Sequence, residues 1–588
     1  MVANRGPKPD KLWADLTGMK RLWPFLKDEK RYIVVAAILI PVISALQMAL
    51  PIVLKRTIDE GTMKGATSVI ITGAIVYFFV VIGEYASRAT QTMVSALAVH
   101  RMIMTMRREL MRHVLRLRAS FHDRSLSGAL VTRATSDFDN LSESLNQGVL
   151  TSIVDLAVLL GACVGLLLLN WKLALCTIAV LPFVAFIVQR FSAGLKRAML
   201  SARVKIAALN AFLQECLYGV TTVKLLTGEA EAGRRFDKMS IEYRDAQMQS
   251  VVLDAMMFAI LDGIASITVG IVLWMAVGLV TDGVTAGMMV AFVQYIQNLF
   301  EPLKNLGNKI AMLQGAFTSL ERIFGIMDTQ EFVGGQEPVT AVLGDIEFDH
   351  VSFGYEREGG ARVSVLHDVC FRVARGESLA LVGPTGAGKS TIVKLLSKLY
   401  DGYEGRIMLD GRDLSKISGV ALRAHMAIVP QDIVLFDGSI AFNIGLGSPD
   451  VARTAIERAA TIVGADGFIH ALPGAYDFEI KEQGSNLSHG QRQLIVFARA
   501  LARNPKVVIL DEATSSVDPV AEQLIQTAIE SMLDDRTVIV IAHRLSTIRR
   551  CDQILVIASG CIAEAGTHDS LMSRRGIYHG LSTGASAV

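Results

Sequence analysis

The sequence predicts a multi-domain chain: a six-helix, all-α transmembrane domain followed by an α/β domain built around a phosphate-binding loop. Three observations carry this. The 588 residues exceed one ordinary domain. Apolar residues, 51% of the total against 19% charged, crowd into the first half and set the mean hydropathy at +0.41. The second half has the mixed composition of an α/β domain, with short β runs alternating with helical segments around "LALVGPTGAGKST".

Residues 1–30 read as a basic cytoplasmic segment without the short apolar core and cleavage site of a removable signal peptide. Six apolar stretches then follow at 31–54, 66–88, 147–170, 172–191, 251–279 and 284–305, each matching the roughly 20 residues that cross a bilayer. The third, "VLTSIVDLAVLLGACVGLLLLN", is the clearest, and only Asn170, Trp171 and Lys172 separate it from the fourth, which predicts a tight hairpin. Lys and Arg concentrate in the first 31 residues, in 89–146 and in 190–250, about eight to ten in each, so these segments and both chain ends are expected in the cytoplasm. Lys55, Arg56 and Lys64 in the first outer loop are a mild exception.

Helical spacing continues out of the spans through "ALAVHRMIMTMRRELMRHVLRL" and "KRAMLSARVKIAALNAFLQECLYG". Long cytoplasmic helical extensions are therefore expected, turning back near "ASFHDRSLSGALVTR" and "GVTTVKLLTGEAEAG" and needing something to dock on. Glu84 and Arg88 are spaced to pair along one helix face, while Asp155, Asp254 and Asp262 lie in or near spans. These acids read either as lining for a cavity suited to cationic amphiphiles or as internally paired charges. Gly161 and Gly165 in "GACVG" point to close helix packing.

The transmembrane domain is expected over 31–328, a polar linker with Gly and Pro over 329–344, and the α/β domain over 345–588. The formal net charge of +2 gives no reason to expect nucleic-acid binding. Cys163, Cys176, Cys216, Cys370, Cys551 and Cys561 lack CxxC spacing and read as reduced thiols.

In "LALVGPTGAGKST" a strand leads into Gly383, Pro384, Thr385, Gly386, Ala387, Gly388, Lys389 and Ser390, and a helix is expected from Lys389. The glycines let the backbone approach phosphate oxygens and aim N–H groups at them, Lys389 reaches the outer phosphates, and the Ser390 hydroxyl ligates Mg²⁺; Thr391 completes the nucleotide-binding stretch. The run "KVVILDEATSS" supplies a buried strand ending in two acids: Asp511 to hold Mg²⁺ and Glu512 to polarise the attacking water. This is an α/β P-loop ATPase domain with ATP and Mg²⁺ as expected cofactors. A second phosphate-shaped feature lies in "SNLSHGQRQL", where a helix start with little side-chain bulk leaves backbone N–H groups for an anion.

The order Tyr355, phosphate loop, Gln431 in "VPQD", "LSHGQ", "ILDEATSSVD" and His543 in "IAHRLST" resembles the nucleotide-binding domain of ABC transporters. The six spans, with "FHDRSLSGALVTRATSD" as a first coupling segment, resemble the exporter branch of that family, in its flippase and multidrug types. The resemblance implies that Tyr355 stacks on adenine, that Gln431 senses Mg²⁺ and the γ-phosphate, that His543 fixes Glu512 and the water, and that Asp518 sits in a loop crossing to the other subunit. It also implies that the signature residues Leu487, Ser488, His489, Gly490 and Gln491 act in trans, Ser488 and Gly490 covering the γ-phosphate of ATP held by a second nucleotide-binding domain. His489 departs from the commonest family motif, which has Gly there.

What the resemblance implies is a half-transporter in the plasma (inner) membrane, its nucleotide-binding domain in the cytoplasm, working with a second copy or a sister subunit. ATP-driven export or flipping of lipids, drugs or other small amphiphiles is the expected activity. Import of siderophore-like ligands and an ATP-gated channel or regulatory module are the alternatives.

Overall fold

The computed structural model describes residues 20–583 except 65–66, 125–126, 279–283, 330–334, 336, 340, 357–361, 512–518, 534–535 and 542–544. Its contacts divide the chain into two units, 1–116 with 126–329, and 117–125 with 330–588.

The first unit is helical. Its helices include Lys30–Lys64, Thr67–Arg116, Thr151–Leu169, Trp171–Ala179, Leu181–Tyr218, Glu229–Val277, Ala286–Lys304 and Leu306–Met327. The 50 residues of Thr67–Arg116 span about 75 Å at 1.5 Å per residue, far beyond a hydrocarbon core of about 30 Å, so the spans do run on as extensions. Asn170 ends one helix in an extended conformation and caps the next, its side chain accepting from the N–H groups of Lys172 and Leu173, which makes the expected hairpin. Pro182 stands in the first turn of Leu181–Tyr218, after a break at Val180, where its missing N–H costs no helical hydrogen bond.

Among the described residues five helices are long and apolar enough to cross a membrane. The helix in the sixth expected span, Ala286–Lys304, is not one of them, since Gln294, Gln297, Asn298 and Glu301 interrupt its apolar run. Its remaining apolar face lies inside the unit, where Phe292, Tyr295, Ile296, Leu299 and Phe300 are buried. Gly161 and Gly165 let this packing close up: a Cβ on Gly165 would lie 2.6 Å from the Tyr295 ring, and one on Gly161 would lie 2.7 Å from Ser44 Oγ.

The acids near the spans are mostly paired. Glu84 accepts from Arg88 Nε at 2.9 Å, with Gln47 on the same guanidinium, while Asp155 pairs with Lys309 and Asp262 with Lys304. The reading as an acidic cavity gives way to internal pairing for these three, because an isolated carboxylate in low dielectric is costly. Asp254 differs, with Oδ1 buried and lacking a hydrogen-bond partner among the described residues.

The second unit is α/β. Its strands are β1 (Ile346–Glu356), β2 (Arg362–Val373), β3 (Ser378–Val382), β4 (Glu404–Leu409), β5 (Arg412–Asp413), β6 (Met426–Val429), β7 (Gly438–Ser439), β8 (Glu479–Ile480), β9 (Val507–Asp511), β10 (Thr537–Ile541), β11 (Gln553–Ala558) and β12 (Cys561–Gly566). Six of them form a sheet in the order β12-β11-β3-β10-β9-β6, parallel except at the β11–β12 edge. An antiparallel sheet, β2-β1-β4-β5, packs on one of its faces.

Because side chains alternate along a strand, the parallel sheet feeds two cores. Val382, Val508, Leu510, Val540 and Val556 enter one with the helix His489–Leu501. Leu381, Val507, Ile509, Ile541 and Ile557 enter the other with the helix Lys389–Leu396. The stretch read as a linker is partly docked here, with Val339 and Val342 buried and the N–H groups of Leu343, Gly344 and Asp345 donating to Asp410.

Candidate nucleotide site

β3 is buried along its whole length, and the chain leaves it through the phosphate loop at Gly383. Gly383 has φ +150°, and a Cβ there would press on the carbonyl oxygen of Ile557. Gly388, the helix N-cap, has φ +110°, and a Cβ would lie 2.7 Å from Leu366 Cδ2. Both positions therefore exclude any side chain, by left-handed backbone and by space. Pro384, Thr385, Gly386 and Ser390 are exposed around the turn, while Ala387 is buried beneath it.

The helix begins at Lys389, as the motif requires. Lys389 Nζ sits within the curve of the loop, donating to the carbonyls of Gly383 at 2.7 Å and Pro384 at 3.0 Å. Burial lowers its pKa, and the nearby charge of Asp511 works in the opposite direction. The charge at the end of β9 thus acts on the loop lysine. Asp511 and Gln431 in turn line one small cavity, with Gln493 and Leu510.

Tyr355, at the end of β1, reaches the same helix: its hydroxyl lies 3.1 Å from Thr391 Oγ1. Its ring stands edge-on to Tyr400, with centroids 5.1 Å apart and planes at 87°. Lys394 Nζ lies 5.8 Å from the Tyr355 centroid and 5.5 Å from that of Tyr400. Beyond this cluster sits the helix Ala119–Arg124, part of the expected coupling segment and assigned by its contacts to the second unit. Asp123 on it accepts a hydrogen bond from Tyr400 and lies 3.5 Å from Lys394 Nζ. Sequence reasoning had the segment but missed Tyr400 and Lys394, since nothing in their local pattern signals a partner so distant in the chain.

The "LSHGQ" helix starts at His489, with Ser488 as N-cap. It is less bare than the sequence implied. Ser488 Oγ accepts from the Gln491 N–H at 3.2 Å, and Gln491 Oε1 accepts from the Ser488 N–H at 3.0 Å, a capping box that occupies two of the free donors. The Ser488 side chain is exposed, and its hydroxyl keeps an O–H that can donate while the oxygen accepts from Gln491. Leu487 and Gly490 are buried, and His489 Nδ1 is buried with no hydrogen-bond partner among the described residues.

So Lys389, Asp511 and Gln431 form one group, and Tyr355 with Thr391 a second on the same loop helix. The signature helix packs into the core on the opposite face of the sheet from the loop helix. Glu512, Asp518 and His543 lie outside the described residues.

Residues 33–303 match the family described as the ABC transporter transmembrane region, and residues 366–515 match that described as ABC transporter. The ATP-dependent lipid A-core flippase of Sodalis glossinidius is 34% identical over 566 residues, 95% of this chain and 96% of that protein. The uncharacterized ABC transporter ATP-binding protein YknV of Bacillus subtilis is 34% identical over 581 residues, covering 97% of this chain and 94% of its own. Among solved structures, a bacterial Atm1-family ABC exporter with ATP bound is 28% identical and superposes with a TM-score of 0.75 over 95% of this chain and 99% of that one. With the phosphate loop, the signature helix and the apolar helices all in place, the chain belongs to the ABC transporter family, as a multi-pass half-transporter of the exporter branch that couples ATP hydrolysis to transport.

Proposed function

We propose that two copies of this chain pair to form an exporter or flippase for lipids, drugs or other amphiphiles in the inner membrane, with two ATP sites at the seam between them. One observation carries the pairing. The phosphate-loop helix and the signature helix pack into cores on opposite faces of one sheet, which favours Ser488 and Gly490 serving a loop other than their own. This arrangement supports a signature that serves ATP in trans.

In this reading the adenine stacks on Tyr355, whose ring is held by the Thr391 hydrogen bond and by Tyr400. The loop from Gly383 to Ser390 surrounds the phosphates, and Lys389 turns its ammonium from the loop carbonyls toward them. The donors of Ser390, Asp511 and Gln431 are all oxygens, the set a hard cation takes, and two of them share a cavity, so these residues fit Mg²⁺. When bound, that ion neutralises charge on the phosphate oxygens. Glu512 takes the proton of the attacking water and His543 holds Glu512 in place.

Closure of the paired sites acts on the membrane helices through the Tyr400–Asp123 contact, and hydrolysis lets the pair reopen. Outward transport is supported by the exporter and flippase names of the relatives. An amphiphile is supported by a cavity of ≈450 Å³ in the first unit, where Ile52, Leu168 and Leu169 meet Lys55, Arg56 and Glu60. Glu512→Gln tests the site: ATP should bind and hold the chain as a stable dimer with turnover cut by about 100-fold or more. Normal turnover, or a monomer under saturating ATP, overturns the reading. Transport into inside-out vesicles tests the direction separately.

A further inference from the structure

β1 carries an irregularity remote in its chemistry from ATP. Between the pairs Phe348↔Phe371 and Val351↔Val369 it advances three residues while β2 advances two, so Asp349 and His350 together oppose Cys370. A bulge of this kind breaks the alternation of a strand and re-aims side chains. Here two successive residues, Asp349 and His350, are both exposed where one would ordinarily be buried. His350 takes φ +52°, a left-handed conformation uncommon for a residue with a side chain.

One donor atom from each of Asp349, His350 and Cys370 lies within 4.8 Å of the others. The imidazole is oriented by a fourth residue: Nδ1 lies 2.6 Å from Asp368 Oδ1, which leaves Nε2 on the far edge, 3.9 Å from Asp349 Oδ1. Donors bound to one tetrahedral ion stand roughly 3.3–3.8 Å apart, so a small side-chain rotation on this open surface closes the set. The sulfur accepts from the His350 backbone N–H at 3.1 Å, a contact that holds it beside the bulge.

We infer that Asp349, His350 Nε2 and Cys370 Sγ form a surface site for a Zn²⁺-class divalent transition-metal ion, with Asp368 as the carboxylate behind the histidine. The donors are a thiolate, an imidazole and a carboxylate, the mixture that selects zinc-like ions over Mg²⁺ or Ca²⁺. A carboxylate on the second ring nitrogen is the arrangement that sets the tautomer of metal-bound histidines. A fourth coordination position stays open to water. An ion here ties the β1 bulge to β2 on the strand that carries Tyr355.

The test is Co²⁺ titration of the purified full-length protein, followed by displacement with Zn²⁺. A sulfur-to-cobalt charge-transfer band should grow to one equivalent per chain and vanish on addition of Zn²⁺. Cys370→Ser should abolish the band, and Asp368→Asn should weaken Co²⁺ binding by about 10- to 100-fold. His350→Gln is the second variant should Cys370→Ser fold poorly, with unaltered ATP binding as the check on folding. No band in the wild-type protein, or an equal band in the folded Cys370→Ser or His350→Gln variant, overturns the site.

Discussion

The Tyr400 hydroxyl donates a hydrogen bond to the carboxylate of Asp123, across a sequence separation of 277 residues. The same Tyr400 ring stands edge-on to Tyr355, so the proposed adenine platform and the coupling segment share one aromatic neighbour. Tyr400→Phe keeps the ring and removes only the hydroxyl. A hydrogen bond to a charged group contributes about 1.5–3 kcal/mol when buried, and less here because Asp123 is half exposed. The expected outcome is a loss of about 3- to 10-fold in transport per ATP hydrolysed, with basal ATPase changed by less than about 2-fold. Parallel measurement of transport and ATPase in proteoliposomes checks it, and equal losses in both assays would refute a coupling role.

Gly383→Ala should weaken nucleotide binding. The methyl group meets the Ile557 carbonyl and is forced into a positive φ, a conformation that by itself costs an L-residue about 1–2 kcal/mol. Affinity for a fluorescent ATP analogue should fall by at least about 10-fold, while Gly386→Ala, with open space around its Cβ, should fall less.

His489 presents a separate test. Its Nδ1 is desolvated with no partner among the described residues, so His489→Ala removes a group whose burial costs about 1–3 kcal/mol. Thermal unfolding should show unchanged or slightly higher stability. If the imidazole meets the partner's triphosphate, KM for ATP should rise about 3- to 10-fold, the worth of one hydrogen bond. A fall in KM would show that the ring crowds the seam instead.

In the membrane unit, Gly165→Val places a branched side chain where a single Cβ already lies 2.6 Å from the Tyr295 ring. Over-packing of this kind costs about 1–3 kcal/mol. Detergent-solubilised protein should unfold at a lower temperature, whereas a valine at Gly270, with nothing within 4 Å of its Cβ, should have little effect.

Much of this molecule was legible in its sequence because the physics involved is local. Bilayer-length apolar runs, the strand–loop–helix of the phosphate site and the Asn170 hairpin each depend on neighbours a few residues away, and each appears where the pattern placed it. The sixth span was harder: its helix is present, but Gln294, Gln297, Asn298 and Glu301 lower its mean hydropathy, so hydropathy alone describes it poorly.

What only the tertiary structure decided depends on long-range packing. No spacing rule pairs Asp155 with Lys309, places Tyr400 on Asp123, or sets a one-residue bulge opposite Cys370. The same holds for the two faces of the parallel sheet. The sequence by itself determined that the chain holds a phosphate loop and a signature helix, since backbone freedom and helix capping are written into a few adjacent residues. Their separation by a sheet was decided by strand order, a property of how distant β runs bury their alternate side chains together.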